Sequence, residues 1–300
     1  MQPTEALKTP RLKLNPPPGP DTDAWRILHD PESGLWVDSL AGRWLVQTAG
    51  AEFPEALLGL AAGRARSVYW RPRDKAAATA PEHRWGEPVA ERFLVREGGA
   101  AYWMDFSAGY SSGLFLDQRL NRARVAERSG PGRRILNTFA YTGGFSLRAA
   151  LAGASTTSVD LSRPWLDWMW DNFEANGLER EGHFAVRGDT FEWLRSFARK
   201  GRRFHGVVLD PPTFSRHGRK TFRTDRDYAA LAALAAALVE PGGWMLCCAN
   251  THRLPRKRFE SDLRAGLARA RRRLETRESL PMPPEFQGED YLKSTWITLG

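Results

Sequence analysis

Residues 135–160, ILNTFAYTGGFSLRAALAGASTTSVD, decide the fold. The apolar run Ile135 to Ala140 leads into a turn carrying Gly143-Gly144. A helical segment, Phe145 to Leu151, is closed by Gly153, and a second β-prone run, Ser155 to Val159, ends at Asp160. A strand, a glycine turn, a helix and a strand in such a short span make a βαβ unit, whose crossover forces parallel strands.

The same alternation continues toward the C-terminus. Ser162 can cap a helix with Pro164 in its first turn, closed by Asn176-Gly177. On it Trp165, Trp168, Met169 and Phe173 share one face, which predicts core packing. A short strand at 184–186, a helix from Thr190 to Lys200, a buried strand at 207–209, a helix from Tyr228 to Leu238 and a strand from Trp244 to Ala249 follow. A helix from about Phe259 to Leu274 precedes two last strands, Thr276 to Leu280 and Leu292 to Leu299. Pro281, Pro283 and Pro284 between them fit an antiparallel edge hairpin. The fold class is α/β: a doubly wound, mostly parallel, Rossmann-like seven-stranded sheet over residues 111–300.

Toward the N-terminus the texture differs. Residues 21–110 predict a small α+β domain. Its hairpin joins Leu35-Trp36-Val37 to Arg43-Trp44-Leu45-Val46, and a short helix runs from Pro54 to Ala62. Strands follow at 68–70, 92–96 and 101–105, with a charged, turn-rich stretch from Arg71 to Pro88. Residues 1–20, with Pro16, Pro17 and Pro18 in a row, predict a disordered or extended arm.

Composition narrows the function classes. No apolar run reaches the ~20 residues of a membrane span, and the first twenty residues have no apolar signal core. The two cysteines, Cys247 and Cys248, are adjacent and exclude a disulfide framework. The expectation is a soluble cytoplasmic protein with no metal and no membrane partner. The 300 residues carry a net charge of +9, mostly as arginine, which points to a polyanionic partner.

In open parallel sheets, ligands bind beyond the carboxyl ends of the strands. The stretch Asn137 to Gly144 supplies a glycine turn and a helix N-terminus but no G-x-G-x-x-G. It therefore suits a nucleoside with a carboxylate tail better than a pyrophosphate, unless it is only a structural turn. Asp160 can accept ribose hydroxyls or serve as a helix charge. Asp189, after Gly188, can accept from an adenine amino group or cap a helix. Asp210-Pro211-Pro212-Thr213-Phe214 is the most specific feature: the prolines remove two N–H donors and leave carbonyls to accept, while Phe214 offers a stacking surface. The loop bearing Arg216, Arg219, Lys220, Arg223 and Arg226 would line the site mouth or be a solvated charge run.

From about Phe93 to Leu299 the chain resembles class I S-adenosylmethionine-dependent methyltransferases, closest to the bacterial 23S rRNA guanine-N7 and cytosine-C5 enzymes. The shared pieces are Gly113 to Arg119, Asn137 to Gly144, Val159-Asp160-Leu161-Ser162 and Asp210 to Ser215. The resemblance implies S-adenosylmethionine as cofactor and RNA, specifically 23S rRNA, as partner. It assigns Asn137, Phe139, Tyr141, Thr142, Gly143, Asp160, Leu161, Ser162, Asp189 and Thr190 to the cofactor. Phe115, Asp117 and Arg119 are placed beside that pocket, and Asp210, Pro211, Pro212 and Phe214 at the acceptor. Residues 21–110 resemble the linker domain of these enzymes, and no counterpart of their RNA-binding PUA module is recognised.

Cytosine C5 needs transient attack by a thiolate. Asn250 stands where the resembling C5 enzyme has its cysteine, and Cys247 and Cys248 fall inside an apolar strand. The reading therefore ranks guanine N7 first, a base amino group second and C5 last. The alternatives from other classes are an inactive RNA-binding protein and a small-molecule enzyme. A basic run supports RNA: Arg253, Arg256, Lys257, Arg258, Arg264, Arg269, Arg271, Arg272 and Arg273 face only Glu260 and Asp262, on what is otherwise a solvated helix face. Tyr291-Leu292-Lys293 is also family-like but receives no role.

Overall fold

The computed structural model describes residues 14–73, 80–89, 91–109, 112–217, 220–286 and 288–300. The chain forms two compact units, Met1–Leu116 with Pro284–Phe286, and Asp117–Pro283 with Gln287–Gly300.

In the first unit, β1 (Ala24–Asp30), β2 (Leu35–Leu40), β3 (Arg43–Thr48), β4 (Ser67–Pro72) and β5 (Glu82–Gly86) form one sheet in sequence order. Pairing is antiparallel except between β3 and β4, which α1 (Ala56–Ala61) connects. A separate hairpin joins β6 (Phe93–Glu97) and β7 (Ala100–Met104). The sequence reading missed β1 and β5, each for a physical reason. Arg26 in β1 is buried against Asp38 in a two-pronged ion pair at 2.8 and 3.1 Å, and the register shifts between Arg26 and Leu28, so no clean apolar alternation survives. β5 is an exposed edge strand with no inward apolar face. Within the predicted N-terminal arm, residues 1–13 lie outside the described residues. The Asn15 backbone N–H donates to the Ile27 carbonyl at 2.8 Å, laying the chain along β1.

The second unit contains α2 (Arg119–Glu127), β8 (Arg134–Thr138), α3 (Gly144–Leu151), β9 (Ser155–Asp160), α4 (Arg163–Glu174), β10 (His183–Arg187), α5 (Thr190–Arg199) and β11 (Phe204–Leu209). After a ribbon of β12 (Phe214–His217) and β13 (Lys220–Arg223) come α6 (Thr224–Ala236), β14 (Val239–Asn250), α7 (Arg256–Arg269), β15 (Leu274–Leu280) and β16 (Leu292–Leu299). The seven-stranded sheet has the order β10-β9-β8-β11-β14-β16-β15. Strands β8 to β11 and β14 are parallel; β15 and β16 pair antiparallel, as the sequence anticipated, and β16 also runs antiparallel to β14.

Successive residues of a strand point to opposite faces. Leu136, Val207, Leu209, Met245 and Cys247 join a core with Leu194, Leu231 and Leu263 from α5, α6 and α7. Their neighbours Ile135, Val208, Leu246 and Cys248 join another with Val125 and Phe145 from α2 and α3. The adjacent cysteines thus serve different cores. The two strand directions away from β8, toward β9 and toward β11, open a crevice at the carboxyl ends.

Four local expectations are corrected. The loop after Phe214 is the β12–β13 ribbon, whose polar register gives no apolar signal; Arg219 lies outside the described residues. Ser162 occupies the N-cap position of α4 but its side chain makes no capping bond. Trp168, Met169 and Phe173 are buried, whereas Trp165 is only half-buried and meets the Tyr141 ring edge-on at 4.8 Å. The last helix stops at Arg269, because Arg271 adopts a left-handed φ of 53° and Leu274 already opens β15.

Arg272 is therefore not a helix-face residue. Its guanidinium donates to the carbonyls of Ala236, Val239, Glu240 and Gly300, closing the ends of α6, β14 and β16. Leaving such acceptors unmade costs about 1–3 kcal/mol each when they are buried. Arg272→Gln should lower unfolding free energy by about 2–4 kcal/mol in urea titrations. Arg269→Gln, on the exposed end of α7, should stay within about 0.5 kcal/mol of the parent.

Candidate active site

The loop joining β8 to α3 carries three left-handed residues in five: Phe139 (φ 54°), Tyr141 (φ 50°) and Gly143 (φ 76°). Non-glycine residues in this region are strained by roughly 1–2 kcal/mol each, so the surroundings must hold them. The Ala140 N–H donates to the Val159 carbonyl at 3.0 Å, the Gly143 N–H to the Ala140 carbonyl at 2.8 Å, and Asn172 Nδ2 to the Thr142 carbonyl at 2.9 Å. Phe139 stacks against Phe222 of β13 with centroids 6.0 Å apart. Gly143 is glycine for a reason that the sequence did not reveal. A Cβ there would lie 2.1 Å from Met169 Cγ, so the absent side chain makes room for α4.

Asp160 ties two strand ends together. Its Oδ2 accepts the Tyr141 N–H and its Oδ1 the Ser162 N–H, both at 2.8 Å. Burial raises this carboxyl above its ordinary range, against the lowering effect of those two N–H groups and that of Leu161. A carboxylate has about four lone-pair sites, so with three N–H groups acting on it at least one remains to accept. Tyr141, whose N–H it holds, meets Trp165 ring to ring, and both rings are half-buried.

Other predicted residues divide by where their side chains go. Asn137 is buried and donates to Ser146 Oγ at 2.9 Å, which in turn lies 2.6 Å from Ser158 Oγ, so its amide works inside the fold. Thr142 and Thr190 are buried. Asp189 caps α5, accepting the Glu192 N–H at 3.0 Å. The Leu161 carbonyl accepts from Arg187 Nε at 3.4 Å. Arg119 opens α2, and Phe115 is an exposed residue of the first unit.

At the end of β11, Asp210 accepts from Gln118 Nε2 at 2.8 Å. Burial and the neighbouring Asp117 carboxylate push its pKa up to about 7, with Arg122 and Gln118 opposing. The expectation of freely accepting carbonyls is narrowed. Thr224 Oγ1 donates to the Pro212 carbonyl at 2.8 Å and the Thr224 N–H to the Thr213 carbonyl at 3.1 Å, which leaves the Pro211 carbonyl without a partner among the described residues. Thr213 Oγ1 donates to the Asn250 carbonyl, joining this turn to the end of β14. Phe214 is 57% exposed. Cys247 and Cys248 are buried, and burial pushes the Cys247 thiol up to about 12 and the Cys248 thiol well above its ordinary value.

Sequence reasoning missed Trp165 as a site neighbour and the polar contacts behind Asp210. Gln118 lay within the motif that carried the resemblance, but no periodicity marks it as the partner of a residue 92 positions away.

Residues 34–295 match the family described as S-adenosylmethionine-dependent methyltransferase, and the chain belongs to that family. It is 31% identical over 278 residues to the ribosomal RNA large subunit methyltransferase K/L of Methylococcus capsulatus, covering 92% of this chain and 36% of that protein. It is 34% identical over 195 residues to the putative ribosomal RNA large subunit methyltransferase YwbD of Bacillus subtilis, covering 65% and 49%. The chain thus spans between about a third and a half of the length of these curated relatives. A putative methyltransferase complexed with SAH shares the fold, with TM-score 0.81, 24% identity, and 93% of this chain and 76% of that chain covered. No helix among the described residues is long and apolar enough to cross a membrane.

The Asp210 geometry has a measurable consequence for stability. An unfolded Asp titrates near 3.8 and the folded Asp210 near 7. Between those values the folded state binds the extra proton, so this residue's contribution falls as pH rises, by up to about 1.4 kcal/mol per unit. Above about 7 the contribution is level. Asp210→Asn should remove that decline, and at pH ~8 it should be at least as stable as the parent in parallel thermal and urea unfolding across that window. A variant whose stability tracks the parent's at every pH would show that Asp210 is not held in this way.

Proposed function

We propose that the chain transfers a methyl group from S-adenosylmethionine to a purine-base nitrogen of RNA, with large-subunit ribosomal RNA as substrate and guanine N7 as first choice of atom. The observation that carries the reading is the turn at the end of β11: a half-buried acceptor, Asp210, and the Pro211 carbonyl, unpartnered among the described residues, in the same turn as an exposed aromatic, Phe214. Such a turn suits one unstacked base, since a base inside a duplex cannot reach a donor in the crevice. The names of the relatives support ribosomal RNA, and the high pKa of both buried thiols speaks against attack by cysteine at cytosine C5.

The strand ends fit the cofactor. The remaining accepting capacity of Asp160 suits a ribose hydroxyl, the Tyr141 that it holds brings the Tyr141–Trp165 ring pair to the same loop, and the Asp189 oxygen not used in capping can accept an amino proton. When bound, S-adenosylmethionine supplies an electrophilic methyl group on a sulfonium. The protein's work is then to align the nucleophile in line with that methyl. Guanine N7 has a lone pair and loses no proton, so Asp210 only orients it. A base amino group is the second reading, favoured by the pKa of Asp210, which suits a proton acceptor near neutrality.

The arginine run divides in space. Arg253, Arg256 and Lys257 stand where β14 gives way to α7, next to the Thr213 turn, and with Arg216 they are exposed and have no ion-pair partner among the described residues. Arg258 instead pairs with Asp262, Arg273 with Glu275, and Glu260 with Arg277, while Arg272 closes carbonyls. Arg269 and Arg271 sit at the far end of α7, about 20 Å along the axis. The phosphate contacts belong to the near end.

Incubation with large-subunit rRNA transcript and labelled donor, followed by nucleoside mass spectrometry, should yield 7-methylguanosine. An N2- or N6-methylated purine would select the second reading, and a 5-methylpyrimidine would refute both. For the amino-group reading the rate should fall as pH drops below about 7, where Asp210 takes up its proton. Separately, Arg253→Gln with Arg256→Gln should weaken RNA binding and reduce the log–log salt slope by about 1.4, whereas Arg269→Gln with Arg271→Gln should leave it unchanged. Equal effects from both pairs would remove the near-end assignment.

A further inference from the structure

Behind Asp210 runs a chain of buried polar groups from three separate segments. Gln118 Nε2 donates to Asp210 Oδ2 at 2.8 Å. Gln118 Oε1 accepts from Asn121 Nδ2, which also donates to Ser294 Oγ at 2.8 Å, and Ser294 Oγ lies 3.6 Å from Cys248 Sγ. Gln118, Asn121, Ser294 and Cys248 are all buried. Asp210 Oδ1 has no partner among the described residues.

A carboxamide donates only at its nitrogen and accepts only at its oxygen, so a chain of amides has a direction. An ionised Asp210 can only accept. Gln118 must then turn its NH2 toward Asp210 and its carbonyl toward Asn121, and Asn121 must answer with its own NH2. That is the arrangement observed, and it leaves Asn121 Oδ1 buried without a partner. A protonated Asp210 donates, and every link can reverse. Its O–H then meets Gln118 Oε1, Gln118 Nε2 meets Asn121 Oδ1, the Ser294 hydroxyl donates to the same oxygen, and the Cys248 S–H donates to Ser294. Each reversal needs only a half-turn of an amide or rotation of a hydroxyl or thiol, and no backbone movement.

We propose that Gln118 is the positioning residue for Asp210, occupying Oδ2 so that Oδ1 is presented to the acceptor base, and that Gln118, Asn121 and Ser294 form one two-state hydrogen-bond chain whose direction is locked to the charge on Asp210. The presentation of Oδ1 rests on the reading of Asp210 as facing the base; the coupling itself does not. The charged and titratable groups facing Asp210 are Asp117 next to Gln118, Arg122 of α2, Tyr228 of α6 and Cys248 of β14. Asp117 opposes ionisation, Arg122 favours it, and Tyr228 and Cys248 stay neutral because burial raises both far above neutrality. Asp210 is thus the group that titrates, near 7, within reach of ordinary experiments. The chain also accounts for Cys248, a buried thiol that methyl transfer does not use.

The test follows the side-chain amide proton–nitrogen signals of the full chain, without RNA or donor, across the neutral range. The signals of Gln118 and Asn121 are identified by their loss in Gln118→Leu and Asn121→Leu. In the parent both should titrate with one common midpoint near 7, and in Asp210→Asn neither should move. Static amides beside a titrating Asp210, or two separate midpoints, overturn the coupling. In folded Gln118→Leu, the Asp210 carboxyl, read by infrared difference against Asp210→Asn, should titrate about one pH unit higher, because the ionised form has lost its charge-assisted donor. An unshifted midpoint in that variant overturns the positioning role. Because these readouts need no methyl transfer, failure of the RNA reading would appear separately, as absent product with the amide titration intact.

Discussion

The parallel strands β8, β11 and β14 serve two cores at once, and this constraint governs the rest of the second unit. Each must place every residue in apolar surroundings on alternating sides, as Leu136 and Ile135 or Cys247 and Cys248 do. No position within these strands is then available for polar chemistry without an internal partner. Asn137 illustrates the rule: it sits mid-sheet and is satisfied by Ser146 beneath α3 rather than by a ligand. Polar function is pushed to the strand ends, where side chains first escape the sheet.

Three aspartates occupy those ends, and packing gives each a different task. Asp160 holds the backbone of two loops, at the left-handed Tyr141 and at Ser162. Asp189 caps a helix. Asp210, beside a second carboxylate and behind a single amide donor, is destabilised in its charged form. A strained loop and a poorly solvated carboxylate are tolerable because both are mounted on the rigid ends of a doubly packed sheet. The β12–β13 ribbon belongs to the same construction: Phe222 packs against Phe139 of the strained loop, while Phe214 stays exposed.

Arginine is abundant enough to suggest a polyanion from composition alone, yet its members do unlike work. Arg26 neutralises a buried aspartate, Arg272 satisfies carbonyl ends, and Arg258, Arg273 and Arg277 pair with carboxylates. Arg253, Arg256 and Lys257 at the near end of α7 and Arg216 on the ribbon are exposed with no ion-pair partner among the described residues, and Arg264, Arg269 and Arg271 share that state farther along the chain. Charge that looked continuous along the chain is discontinuous in space because a helix carries successive segments away from the crevice at 1.5 Å per residue.

By itself the sequence determined the seven strands of the large sheet with their antiparallel final pair, the helices between them from α3 onward, and the turns at the strand ends, but not α2 or the β12–β13 ribbon. Those features are written in local signals: apolar runs bounded by glycine and proline, and the period of the residues between them. Local signals failed where long-range partners override them. β1 was hidden because Arg26 finds its aspartate across the sheet, and β5 because an edge strand has no buried face to mark it. Tertiary structure alone decided that Gly143 makes room for Met169, that Trp165 leaves the core to meet Tyr141, and that Arg272 is structural. It alone brought Gln118 to Asp210, because an amide finds its carboxylate through space, and hydrophobic periodicity carries no record of which distant polar groups will meet.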